Sequence, residues 1–238
     1  MASTAPSISA ARERRFFLLM AIAIAAIVFA GFGSSFALGR ARLGDLPIQV
    51  HLHALAFAAW IILFVVQSAL VDRGSFDLHR RLGRIGAALV PLMVALGMIA
   101  TVMCVRRGAV PPFFPVNVFL VMNMLGVLAF AGLTAAGIAL RARPEWHRRL
   151  MLCGTIELTA PAFGRLLPMP LLGSWGPAML CLAMMVLVAI GMGFDGMASR
   201  RVHPAWWVGA AVILAVQLAI GPLAFAPPVA DWAASLTT

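Results

Sequence analysis

Seven apolar runs, each long enough to cross a bilayer, occupy most of this chain of 238 residues. A hydrocarbon core about 30 Å thick takes roughly 20 apolar residues of helix to cross. Lipid offers no partner to a bare backbone amide, so each run must satisfy its own N–H and C=O groups as a helix. The runs fall at residues 16–38, 48–71, 82–105, 113–140, 150–172, 177–198 and 206–225. Breakers mark the connections: Gly39, Gly44 and Pro47 after the first run, Pro111 and Pro112 before the fourth, Pro168 and Pro170 near the end of the fifth. The expected fold is all-α: a polytopic membrane protein of seven transmembrane helices, one integral-membrane domain over 1–238.

Charge placement gives the expected orientation. All eighteen basic residues are arginine and the net charge is +10. In a seven-span topology thirteen arginines fall on the side of the N-terminus: Arg12, Arg14, Arg15, Arg73, Arg80, Arg81, Arg84, Arg141, Arg143, Arg148, Arg149, Arg200 and Arg201. Only Arg40, Arg42, Arg106 and Arg107 fall on the other. Basic loops stay cytoplasmic, which puts the N-terminus inside and the C-terminus outside. The basic partner is then anionic lipid of the inner leaflet, not nucleic acid. The first run follows three arginines but exceeds the usual apolar length of a signal peptide, so it is read as a retained helix. With no lysine, a retinal Schiff base is excluded; with no tyrosine, so is a phenolic proton relay.

A repeat is written into the middle of the chain. Leu78-His79-Arg80-Arg81-Leu82 returns 68 residues later as Trp146-His147-Arg148-Arg149-Leu150. At the same offset Arg73 meets Arg141, Asp77 meets Glu145 and Gly86 meets Gly154. That spacing suits a helix pair with its loops, so the second to fifth helices are expected to be a duplicated pair, about 48–105 and 113–172. Each copy carries one His-Arg-Arg junction at the start of a helix.

His79 and His147 should therefore stand at equal depth on parallel helices. Two such imidazoles can hold a haem iron from both faces, with Arg80, Arg81, Arg148 and Arg149 available to the propionates. The same residues also suit an ordinary basic interface. A third reading is an anion or lipid-headgroup pocket, because a helix start already presents free N–H groups.

Other polar residues carry weaker readings. Glu157 and Arg165 lie inside the fifth run, eight residues apart on roughly one face, with Pro161 between them as an expected kink. Charges at such depth are costly and default to functional candidates, here intramembrane polar or substrate-binding residues; helix-to-helix bonding is the structural alternative. His51 and His53 begin the second run. On a helix their side chains diverge by about 200°, so a shared copper or zinc ion needs further ligands, and only Asp45, Asn117 and Asn123 are near. His203, after Arg200 and Arg201, reads as boundary punctuation. Pro144 and Glu145 suit a helix first turn, and Asp77 an N-cap. Cys104, Cys153 and Cys181 show no pairing rhythm and fit as buried thiols, while the fourteen methionines fit membrane packing.

Over residues 48–168 the chain resembles a family of bacterial multi-pass membrane proteins of unknown function. The likeness is carried by His51, the junction Leu78–Arg84, the junction Trp146–Met151, and Thr159 followed by Arg165. Leu78-His79-Arg80-Arg81-Leu82-Gly83 also resembles the haem-ligand setting of the ascorbate-reducible transmembrane cytochromes b. There, haem histidines pair the third helix with the fifth and the second with the fourth. His79 with His147 matches the first pairing; the fourth run has no histidine, so the resemblance implies one haem. The expected function is a membrane redox protein with one b-type haem near the cytoplasmic face, exchanging electrons with a quinol or another membrane carrier. A binding or transport protein with an anion or headgroup pocket, or an accessory subunit of a membrane complex, stands as the alternative. Whether it is an enzyme is left open.

Overall fold

The computed structural model describes residues 8–40 and 43–237, so Arg42 lies outside the described residues. The described residues form ten helices in chain order: α1 (Ile8–Ala37), α2 (Ile48–Asp72), α3 (Phe76–Arg106), α4 (Val116–Ala139), α5 (Pro144–Glu157), α6 (Ala160–Leu166), α7 (Met169–Leu172), α8 (Gly176–Ser199), α9 (Pro204–Ala224) and α10 (Pro227–Ser235). Short 3-10 turns lie at Leu43–Asp45 and Gly173–Trp175, and the described residues contain no strand.

Among the described residues, six helical segments are long and apolar enough to cross a membrane: Ala10–Ala37, Ile48–Asp72, Phe76–Arg106, Val116–Ala139, Met169–Ser199 (α7, the turn and α8 together) and Pro204–Ala224. Their surfaces suit lipid rather than water, since large side chains such as Leu55 and Leu218 are 68% and 76% exposed. The protein is a multi-pass membrane protein.

The fifth run is where the sequence expectation and the structure differ. It forms no single long helix but breaks into α5 and α6 at Leu158 and Thr159. Pro161 brings no N–H to this stretch and its ring crowds the preceding turn. The chain tightens there: the amides of Leu158 and Thr159 bond to the carbonyls of Thr155 and Ile156 at 3.2 and 2.9 Å, and the Thr159 hydroxyl donates to Ile156 O at 2.6 Å. The kink expected at Pro161 is thus a complete interruption just before it.

Helix α4 packs along α5, α3 and α9; α1 lies against α2 and α6; α9 also packs on α5 and α8. The main core runs between these helices, with Ile24, Met93, Phe130, Leu152, Ile156, Met184, Trp206 and Ile213 sealed from the surface. Two glycines let backbones of neighbouring helices come close. A methyl at Gly154 would meet the Thr134 hydroxyl at 2.8 Å and the Phe130 carbonyl at 3.2 Å, and one at Gly31 would meet Ala162 backbone at 2.7 Å. At the other end of the bundle α10 folds back, so that Ala233 and Leu236 pack with Val105 and Leu120. One cap expectation is corrected: α3 begins at Phe76 with Ser75 as N-cap, and Asp77 lies inside the first turn, paired with Arg80. Pro144 does open α5, with Glu145 in its first turn.

Candidate functional site

His79 is the fourth residue of α3 and His147 the fourth residue of α5. Equal position on two helices that flank α4 places both rings at one level. Their centres lie 6.3 Å apart and their planes are at 81°. The two histidines of the His-Arg-Arg junctions therefore meet.

The His147 ring is held from behind, and His79 is held through its backbone. The Nδ1 of His147 lies 2.8 Å from the carbonyl oxygen of Gly137 on α4. A carbonyl only accepts, so Nδ1 carries the hydrogen and Nε2 keeps its lone pair. Gly137 makes this approach possible, because a Cβ there would come within 3.2 Å of the Met151 side chain and 3.4 Å of the His147 carbonyl. On the other side, Gln67 at the end of α2 donates from Nε2 to the His79 carbonyl at 3.1 Å. The Nδ1 of His79 is buried without a hydrogen-bond partner, as is Oε1 of Gln67. A buried imidazole nitrogen with no partner is uncommon enough to need an explanation.

The four junction arginines divide. Arg80 and Arg81 stay exposed, Arg80 pairing with Asp77. Arg149 turns the other way, into a closed polar cluster. Its Nε and Nη2 donate to the two carboxylate oxygens of Asp195 on α8 at 2.9 and 2.7 Å, its Nη1 to the Glu145 carbonyl at 2.9 Å, and its Nη2 also to Glu13 on α1 at 3.1 Å. Arg148 pairs with the same Glu13 carboxylate. Asp195 also accepts from Trp206 Nε1 at 3.0 Å and from the His203 amide at 3.1 Å. Beneath the guanidiniums lies the Phe17 ring, 5.4 Å from Arg148 and 5.7 Å from Arg149. Arg149 and Asp195 are only 5% and 2% exposed, and each carries several charge-assisted hydrogen bonds within the cluster. This cluster ties α1, α5, α8 and α9 together. Arg148 and Arg149, expected on the propionates, therefore have their charges met by Glu13 and Asp195 instead.

Neither Glu13 nor Asp195 figures among the sequence candidates. Asp195 was visible in principle, as a lone acid near the end of an apolar run, where an unpaired charge is too costly to leave without a partner. Which arginine it meets is set by packing that no spacing reveals. His203 is more than punctuation: it caps α9, with Nδ1 accepting from the Ala205 amide at 3.2 Å. Its ring meets Trp146 edge-on at 5.2 Å and its Nε2 lies 3.7 Å from Glu145. Burial, with Arg149 adding to it, pulls the His203 pKa below its usual value despite that carboxylate.

The remaining candidates lie deeper or at the opposite end. His51 sets Nδ1 3.1 Å from the Pro47 carbonyl, while His53 packs on Phe57 at 4.2 Å with its own Nδ1 buried and unpartnered. The two diverge, as their spacing requires. Arg165 donates to the Pro161 carbonyl at 2.7 Å and lies 4.2 Å from the centre of the Phe32 ring. Glu157 is buried with Oε1 unpartnered. All three cysteines are free thiols, and no cluster of three or more His, Cys, Asp or Glu side chains suited to a metal ion occurs among the described residues.

The chain matches no family model, no curated protein and no solved structure.

Proposed function

We propose that this protein is a membrane redox carrier that holds one b-type haem between His79 and His147, at the arginine-rich end of the bundle. The observation that carries the reading is the facing ring pair, with centres 6.3 Å apart. Two imidazoles binding one iron from opposite faces at roughly 2.0–2.1 Å each have their centres about 6 Å apart. The residues fit in two further ways. His147 is oriented through Nδ1 by a backbone carbonyl, the usual second partner of a metal-binding imidazole. His79 has a buried ring nitrogen with nothing to bond.

When bound, haem supplies one-electron transfer. The chain's own part is to hold the ligands and tune their surroundings. The Gly137 carbonyl fixes the His147 tautomer, and Gln67 anchors the backbone at His79. Arg80 and Arg81 are the guanidiniums left for propionates, since Arg148 and Arg149 are neutralised by acids. That neutralisation also disfavours an anion or headgroup pocket lined by both junctions. The electron partner in this reading is a quinol or another membrane carrier.

The reading includes the finer architecture. The α5–α6 pair acts as a fifth span among seven, the N-terminus is cytoplasmic, the C-terminus external, and the membrane is the bacterial inner membrane with anionic lipid around the arginines. Gly86 and Gly154, equivalent in the repeat, each approach the preceding helix: Gly86 is near Leu63 and Trp60 of α2, Gly154 near Phe130 and Thr134 of α4. That likeness supports a duplicated pair.

The test is the visible spectrum of the full chain purified in detergent from haem-replete cells. A Soret band with reducible α and β bands is expected, lost in His79→Ala and in His147→Ala while helical circular dichroism persists. Colourless wild-type protein, or a band that survives both substitutions, overturns the reading.

A further inference from the structure

Glu157 is the last residue of α5 and is 4% exposed. Its Oε1 has no hydrogen-bond partner, and among the described residues no ion pair includes it. Two arginines lie eight residues away along the chain: Arg165 is turned to Phe32 and the Pro161 carbonyl, and Arg149 to Asp195 and Glu13. The helices packed on α5 are α1, α4, α8 and α9, and Trp60 of α2 reaches it at Thr155. They bring no charged group to this carboxyl; the titratable neighbours are two thiols, Cys153 on α5 itself and Cys181 on α8. On the α4 side the facing residue is Gly126, where a methyl would lie 3.8 Å from Oε2.

A bare carboxylate in such a place is untenable, because an ionised group without a countercharge costs several kcal/mol or more in a low-dielectric interior. The backbone makes the need for positive charge larger. Residue 161 is proline, so the Glu157 carbonyl lacks the donor that a continuous helix would supply four residues on. The C-terminal end of α5 also concentrates a partial negative charge of about half an elementary unit. Carboxylate and helix end thus add within one interrupted membrane segment, and membrane proteins use such interruptions to hold small cations.

We propose that Glu157 binds a monovalent cation, a proton or Na⁺, inside the membrane at the break between α5 and α6. The bound cation neutralises the carboxylate; no other bond forms or breaks. The site is independent of any haem at His79 and His147.

Infrared difference spectra of the full-length protein in lipid nanodiscs, wild type against Glu157→Gln, test this. In Na⁺-free buffer at low pH a C=O band of a protonated carboxylic acid is expected in wild type and absent from the variant. Loss of the band as pH rises, indifferent to Na⁺ against choline, identifies the proton as occupant. Loss on adding Na⁺ at fixed pH identifies Na⁺. A band that persists over the whole accessible pH range without deuterium exchange means a fixed acid with no exchangeable cation, and overturns the proposal. So does a carboxylate signal at every pH that ignores Na⁺. Should the glutamine variant fail to fold, carbon-13 glutamate labelling of wild type isolates the same band, since the other glutamates, Glu13 and Glu145, are ion-paired or exposed.

Discussion

The Arg149 guanidinium on α5 holds the Asp195 carboxylate on α8 through two hydrogen bonds, of 2.9 and 2.7 Å, in a place where neither side chain meets solvent. Breaking a buried pair from one side leaves the other charge without compensation, at a cost of about 3–5 kcal/mol. Asp195→Ala should therefore lower the unfolding midpoint sharply in detergent. Arg149→Met combined with Asp195→Leu should recover only part of the loss. Trp206 Nε1 and the His203 amide would still lack an acceptor, at about 1–3 kcal/mol for each such group. A double variant no more stable than Asp195→Ala alone would show that the pair is not what holds α5 to α8.

Gly191 supplies the space in which Trp206 reaches that carboxylate. A methyl on Gly191 would lie far inside contact distance of the indole, and Trp206 is fully buried with nowhere to retreat. Gly191→Ala should destabilise by about 1–3 kcal/mol through overpacking and shift tryptophan emission. Gly193→Ala, two residues on with nothing within 4 Å, should be silent in both measurements. Equal effects at the two positions would remove the steric account.

Acid should weaken this end of the bundle. The folded pKa of His203 is depressed, chiefly by burial, below the ordinary 6.5 of the unfolded chain. The unfolded state then binds more protons between the two values. The contribution is present above pH 6.5 and is lost as pH falls through the folded value. In melting curves against pH, His203→Asn should flatten part of the decline below 6.5. An unchanged slope would exclude His203 as its source.

The proposed seven-span topology makes a simple demand. Reporter fusions after Arg149 and at the C-terminus should report opposite sides of the membrane, the first cytoplasmic. The same side for both would mean that α5 and α6 dip in and return rather than cross.

How far the chain could be read without coordinates depended on whether a feature was local. The long apolar helices follow from run length, except in the broken fifth run, and the meeting of His79 and His147 from one His-Arg-Arg motif recurring at two helix starts. Pro161 announced a disturbance, yet the tightened turn at Leu158 and Thr159 depends on backbone bonding that composition does not encode. Arg148 and Arg149 looked the same as Arg80 and Arg81 in sequence. Their fates diverge because Glu13 and Asp195, 136 and 46 residues away from Arg149, are brought up by α1 and α8. Pairings across such distances are settled only when helices dock.

In the proposed seven-span topology, the interrupted fifth segment also bears on how the chain enters the membrane in the first place. A segment that carries Glu157 and Arg165 and divides into helices of 14 and 7 residues is a poor substrate for insertion by itself. Each charge near the centre of a segment costs about 2.5–3.5 kcal/mol on the insertion scale. It must be carried in by its neighbour, and α4 is that neighbour: apolar along its length and closely fitted to α5 at Gly137 and Gly154. The order of synthesis agrees, because α4 leaves the ribosome first and can wait in the bilayer for a partner that would not stay there alone.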